Sequence, residues 1–109
     1  LSHPDIDVNK GTPLCVCIEK GDKEIAAMLL SHSDIDVNKQ HHGYIRPKHR
    51  TPLYIAVLKH HNAIVAMLLS HPDIDPNKNS GRMYTPLIDA VHGNQKDAVA
   101  MLLSHPDID

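Results

Sequence analysis

Apolar and polar positions alternate along the chain in blocks that return in a constant phase. Ile25, Ala26, Met28, Leu29 and Leu30 form a cluster that recurs as Ile64, Val65, Met67, Leu68 and Leu69, then as Ala98, Val99, Met101, Leu102 and Leu103. This spacing predicts a helix that buries one broad stripe. Upstream of each cluster stands Thr-Pro-Leu, at Thr12, Thr51 and Thr85, and each Leu-Leu pair ends 18 residues after its threonine. Threonine caps a helix N-terminus well, and proline suits the first helical position, where its missing N–H costs nothing. A first, shorter helix therefore starts at each threonine. The tenth residue of each unit is Gly21, His60 or Asn94. Gly and Asn readily take the left-handed backbone of a sharp turn, so the first helix stops after about two turns. Three helix pairs follow, at about 12–32, 51–71 and 85–105.

A second string keeps the same phase. LSHPDID occurs at 1–7, 69–75 and 103–109, and returns as LSHSDID at 30–36. A fixed period of this kind decides the architecture, because one helix pair cannot bury its own apolar face and must stack on its neighbours. The chain of 109 residues has room for one such domain. It begins and ends on the same motif with no polar capping unit, and it opens on Leu1. The expectation is a piece of something longer, with missing neighbours or end-to-end self-association.

At these residues the sequence resembles the ankyrin repeat family, whose pattern runs Thr-Pro-Leu-His-x-Ala, a Gly turn, an apolar helix ending Leu-Leu, and an Asp-Val-Asn loop. TPLYIA at 51–56, the Leu68-Leu69 ending and DIDPN at 73–77 match together at the family's spacing. The resemblance covers essentially the whole chain. It implies an all-α fold, a solenoid of stacked helix-turn-helix repeats joined by hairpin-like finger loops. The family's histidine is replaced by Cys15, Tyr54 and Ile88, so a hydrogen bond that such proteins use to brace the turn is missing.

In such a stack the helical positions are committed to packing, and individuality lies in the fingers and the exposed helix ends. Only Lys10 and Gly11 separate Asn9 from Thr12, whereas a long finger spans 39–50 (KQHHGYIRPKHR) and a short one 78–84 (KNSGRMY). With Gly43 and Pro47 inside it, the long finger can be a hairpin turn or a mobile loop. Charge changes the picture here. The formal net charge is −2, yet from Val37 to Pro72 there are five basic residues and no acidic one, while the remainder holds six basic and 13 acidic. That polarity implies a partner with an acidic patch; the bland alternative is that the charges solvate a loop and guard its strand edges. Tyr and Arg are enriched at interface hot spots. The candidate partner-binding residues are Tyr44, Arg46, His49, Arg50, Lys59, Arg82 and Met83. Tyr54 reads as packing.

Other chemistry is weaker. Asp5, Asp7 and Asn9, and their copies at 34–38 and 73–77, begin like a calcium loop. The sixth position is Lys10, Lys39 or Lys78 where Gly is required, and the twelfth is Val16, Ile45 or Tyr84 where Glu is required. Asp and Asn are expected to bond their own backbone in turns. His3, His32, His71 and His105 copy one position after the Leu-Leu end, where a partly protonated imidazole would favour the helix dipole. His61 fits the family's inter-helix histidine. His41, His42 and His49 lack a fourth ligand for zinc. Cys15 and Cys17 form a lone C-x-C, with Cys17 a small buried filler.

No nucleophile elbow, phosphate-cradling loop or carboxylate pair marks an enzyme, so no catalytic residue, metal or cofactor is assigned. The longest apolar runs are six residues, too short to span a membrane. Two closely spaced cysteines and no signal segment imply an intracellular, cytoplasmic, reducing compartment. The resemblance implies a protein-protein interaction module, a rigid scaffold that loses little entropy on binding. Nucleic-acid or anionic-surface binding through the basic centre ranks below it, as does a self-stacking spacer.

Overall fold

Proline opens each inner helix of the chain at the position the pattern predicts. The inner helices α1 (Pro13–Glu19), α3 (Pro52–Leu58) and α5 (Pro86–His92) are each followed by an outer partner, α2 (Lys23–Leu30), α4 (Asn62–Leu69) and α6 (Lys96–Leu103). The computed structural model describes residues 6–42, 49–81 and 84–109. Among these the strands are β1 (His41–His42) and β2 (His49–Arg50), a small antiparallel addition to an otherwise helical fold.

The capping threonines divide two to one. Thr51 Oγ1 accepts the Tyr54 N–H and Thr85 Oγ1 accepts the Ile88 N–H, each at 3.1 Å. Thr12 does not cap α1: it sits left-handed at φ 50, and its hydroxyl donates to Gly11 O at 2.8 Å. The cause is the short connection. With two residues after Asn9 the chain must turn tightly, and Gly11 (φ 76) and Thr12 share that turn, closed by Thr12 N–H to Asn9 O at 3.1 Å.

All three inter-helix turns are left-handed, at Gly21 (φ 71), His60 (φ 61) and Asn94 (φ 53). At His60 the demands of the turn override residue preference, at a cost of about 1 kcal/mol or more. Each turn then closes the same way, as the residue after it donates its N–H back into the first helix: Asp22 to Cys17 O, His61 to Ala56 O and Gln95 to Ala90 O.

The pairs stack in register, α1 on α3 on α5 and α2 on α4 on α6, giving an elongated body of 41 × 29 × 23 Å. Burial follows position in the stack. Pro52 to Val57 of the middle pair are all buried, as are Ile64, Val65 and Leu68. In the first pair only Ala26 of α2 is buried, because that helix has a neighbour on one side alone.

Between repeats the Asp-x-Asp-x-Asn segments do two jobs. Asp7, Asp36 and Asp75 accept the N–H of Asn9, Asn38 and Asn77 two residues on, as expected of aspartate in turns. The asparagines do not bond their own backbone; they reach forward. Asn9 Nδ2 donates to Asp34 O at 2.9 Å while its Oδ1 accepts the Asp36 N–H at 2.7 Å. Asn38 repeats this with Asp73 and Asp75, and Asn77 with Asp107 and Asp109. Each amide thus tethers its own repeat to the next.

The repeated histidines add a bond of their own to these turns. Nδ1 of His32, His71 and His105 accepts the N–H of Asp34, Asp73 and Asp107 at 3.0 to 3.1 Å. Each ring thus braces the turn that follows an outer helix.

Candidate functional site

The two ends of the long finger pair as the strands β1 and β2. Register sets His42 opposite His49 and His41 opposite Arg50, and alternation sends these two pairs to opposite faces of the ribbon. On one face His42 Nδ1 and His49 Nδ1 lie 2.6 Å apart, the rings edge to face with centroids separated by 4.5 Å. One imidazole must donate and the other accept. On the other face His41 Nδ1 is 2.7 Å from Thr12 Oγ1. The left-handed Thr12 therefore anchors the root of the finger.

Arg50 leans over the end of α1. Its Nη1 is 3.6 Å from Glu19 Oε1, and Lys59, just past α3, places Nζ 3.3 Å from Glu19 Oε2. One carboxylate from the first repeat thus gathers two cations of the second. Both pairs are partly exposed, which holds their stabilisation to about 1 kcal/mol or less each.

The short finger is tied into the same surface. Gln40 Nε2 donates to Asn79 O at 2.8 Å, and the buried Ser80 Oγ accepts the Thr51 N–H at 2.9 Å. Ser80 N–H donates to Tyr84 O at 2.8 Å, which sets Tyr84 edge to face with Tyr54 at 6.2 Å between centroids. Burial pushes the Tyr54 phenol up, the Asp89 carboxylate adds to this, and Arg50 opposes it. Burial also raises the Asp89 carboxyl, against the pull of His92 and His60.

Of the candidate residues, Arg50 and Lys59 are brought together at Glu19, while His49 faces away from Arg50 across the ribbon. Tyr44, Arg46, Arg82 and Met83 lie outside the described residues. Sequence reasoning missed Glu19, Gln40, Ser80 and Tyr84. The signal for Glu19 lies in the repeat phase, since stacking sets the eighth residue of one unit beside the ninth of the next. Cys15 and Cys17 are free and buried. Burial, then the neighbouring Cys17 and Glu19, push the Cys15 thiol up to about 12. Among the described residues no group of three or more His, Cys, Asp or Glu side chains gathers where it could hold a metal ion. Among the same residues no helix is long and apolar enough to cross a membrane.

Helix pairs stacked in register and joined by loops define a repeat scaffold. The family model for ankyrin repeats (3 copies) matches residues 39–109, and that for a single ankyrin repeat matches residues 9–42. The chain belongs to the ankyrin repeat family. No curated protein matches it. Ankyrin repeats are generally protein-protein interaction modules, and the family is in general a scaffold without catalysis.

Proposed function

We propose that this chain is a protein-binding module and not an enzyme, using its finger bases and the adjoining ends of the inner helices to hold a partner with an acidic patch. The observation that carries this reading is the gathering of Arg50, from the end of the long finger, and Lys59, just past α3, around Glu19 at the end of α1, both cations lying in a stretch that has no acidic residue of its own. Glu19 orients the two cations, and a carboxylate on the partner would share them. Tyr44, Arg46, Arg82 and Met83 belong to the same two fingers in sequence, and His49 to the strand beside Arg50. They complete the proposed contact set. The hydrogen bonds that root both fingers in the stack support rigidity, which lowers the entropy lost on binding.

The test uses two baits in a native lysate, this chain and a version whose 39–50 finger is replaced by 78–84. A protein held by the first bait and lost by the second supports the reading, and its affinity should then fall on Arg50→Ala and Lys59→Ala and weaken with added salt. Equal retention by both baits sinks it. Retention of nucleic acid alone, with a log-log salt slope near one unit per neutralised phosphate, would favour a phosphate backbone as the ligand instead.

A further inference from the structure

Histidine rings in this chain differ in what their nitrogens are committed to. His41 Nδ1 is taken up by Thr12 Oγ1, and Nδ1 of His32, His71 and His105 by a backbone N–H two residues on. His42 and His49 are another case, because Nδ1 of each pairs with Nδ1 of the other, 2.6 Å away. Among the described residues neither ring has a partner at Nε2. Each imidazole can therefore carry its proton on Nε2 and turn the Nδ1 lone pair toward its neighbour.

The fold builds this pair and holds it. Antiparallel pairing sets His42 directly opposite His49. The strand β1 is tied to the first repeat by His41 and Thr12, and the chain leaving β2 is tied to the short finger by the Thr51 N–H, which donates to the buried Ser80 Oγ. Both rings remain exposed, so an ion and its water can reach them. Two imidazole lone pairs converging on one point are a donor set for a transition ion. We propose that His42 and His49 bind one divalent transition-metal ion through their Nδ1 atoms, Cu2+ in preference to Ni2+ or Zn2+.

Spacing selects the ion. Two nitrogens bound at about 2 Å lie about 2.9 Å apart in adjacent corners of a square and about 3.3 Å apart in a tetrahedron. From 2.6 Å the rings need part by only about 0.3 Å to meet the first, the arrangement that Cu2+ and Ni2+ favour, and Cu2+ binds nitrogen the more tightly of the two. Residues 43–48 include no His, Cys, Asp or Glu, so the chain supplies two ligands and water takes the other positions. The basic stretch around the pair repels a dication and keeps the ion exchangeable. Once bound, the ion joins β1 to β2 by two coordination bonds in place of one hydrogen bond and stiffens the root of the finger.

The test titrates the chain with Cu2+ in a His3→Ala background, because a histidine third from a free amino end takes Cu2+ by itself. Calorimetry should find one ion per chain, and electron paramagnetic resonance of the frozen complex should show coupling to two imidazole nitrogens. His42→Ala and His49→Ala should each lower the affinity about tenfold or more. Both side chains are exposed, so each variant should keep the helical circular dichroism of the parent; His42→Asn and His49→Asn replace any that does not. His92→Ala, on a different element, should bind as the parent does. No binding by the parent overturns the proposal, as does coupling to a single nitrogen. So does an affinity that survives loss of His42 or His49, or falls equally with His92, which would mean adventitious binding to scattered histidines.

Discussion

Cys15 shows how far one repeat position can depart from its family and still serve the fold. It stands where the family has histidine, is 1% exposed, and its Sγ–H points to Lys39 O at 3.6 Å, tying α1 to the root of the long finger. Burial holds the thiol protonated far above neutral pH, and thiolate is the reactive form. Both cysteines should therefore resist a thiol reagent in the native chain and react rapidly once it is unfolded, counted by mass spectrometry; fast native labelling of Cys15 would contradict this. Asp89 is the opposite case, an acid at a position where Ile55 is wholly buried. Its carboxyl is raised, chiefly by burial. Folding then favours its protonated form, so Asp89 detracts from stability at neutral pH and the penalty fades as pH falls through its folded value. Asp89→Asn should raise Tm at neutral pH, with the gain shrinking toward zero below the ordinary carboxylate range. A gain independent of pH would exclude ionisation as the cause.

Turns and loops, more than the helices, carry the specific bonds of each element. Gly21 is left-handed, and a Cβ there would meet His61 Cε1 at 2.8 Å. Gly21→Ala should cost about 1 to 3 kcal/mol from backbone strain and displace the ring, seen as a Tm lowered by several degrees and a shifted His61 NMR signal. An unchanged Tm would mean the turn relaxes freely. The asparagine tether is the second element-scale device. Asn38→Ala removes two bonds of 2.8 Å to the third repeat's loop, worth about 1 to 2 kcal/mol together. Urea denaturation should resolve it as a lower midpoint at constant slope, and a loss below about 0.3 kcal/mol would show that water replaces the amide.

Across the whole molecule stability is unequal, because each repeat is sealed only by its neighbours. The middle pair has one on either side. Amides of α3 and α4 should exchange with deuterium most slowly, and those of α2, where only Ala26 is buried, much faster. Leu68, fully buried in α4, should cost about 2 to 5 kcal/mol on truncation to alanine. That is a large part of the roughly 5 to 15 kcal/mol that a domain possesses, so Leu68→Ala should leave the chain largely unfolded near body temperature by circular dichroism. Uniform exchange across the three pairs would mean that the array unfolds as one unit.

Much of this was legible in the chain itself. Repeated Thr-Pro-Leu, the left-handed tenth position and the Leu-Leu ending determine three helix pairs, because capping, turn geometry and apolar periodicity act over a few residues and recur. Even the interface between repeats is implicit in that recurrence. What only the tertiary structure decided lies between repeats. Thr12 is followed by the same Pro-Leu as the capping Thr51 and Thr85, yet its two-residue connection and the His41 contact turn it to another use. The stretch from Val37 to Pro72 reads as uncompensated positive charge, but Glu19, distant in sequence, meets Arg50 and Lys59 across the stack. The asparagines look like local turn formers and instead bond the next repeat. In each case the partner is about one repeat away, a separation at which linear spacing carries no information until the stack supplies the register.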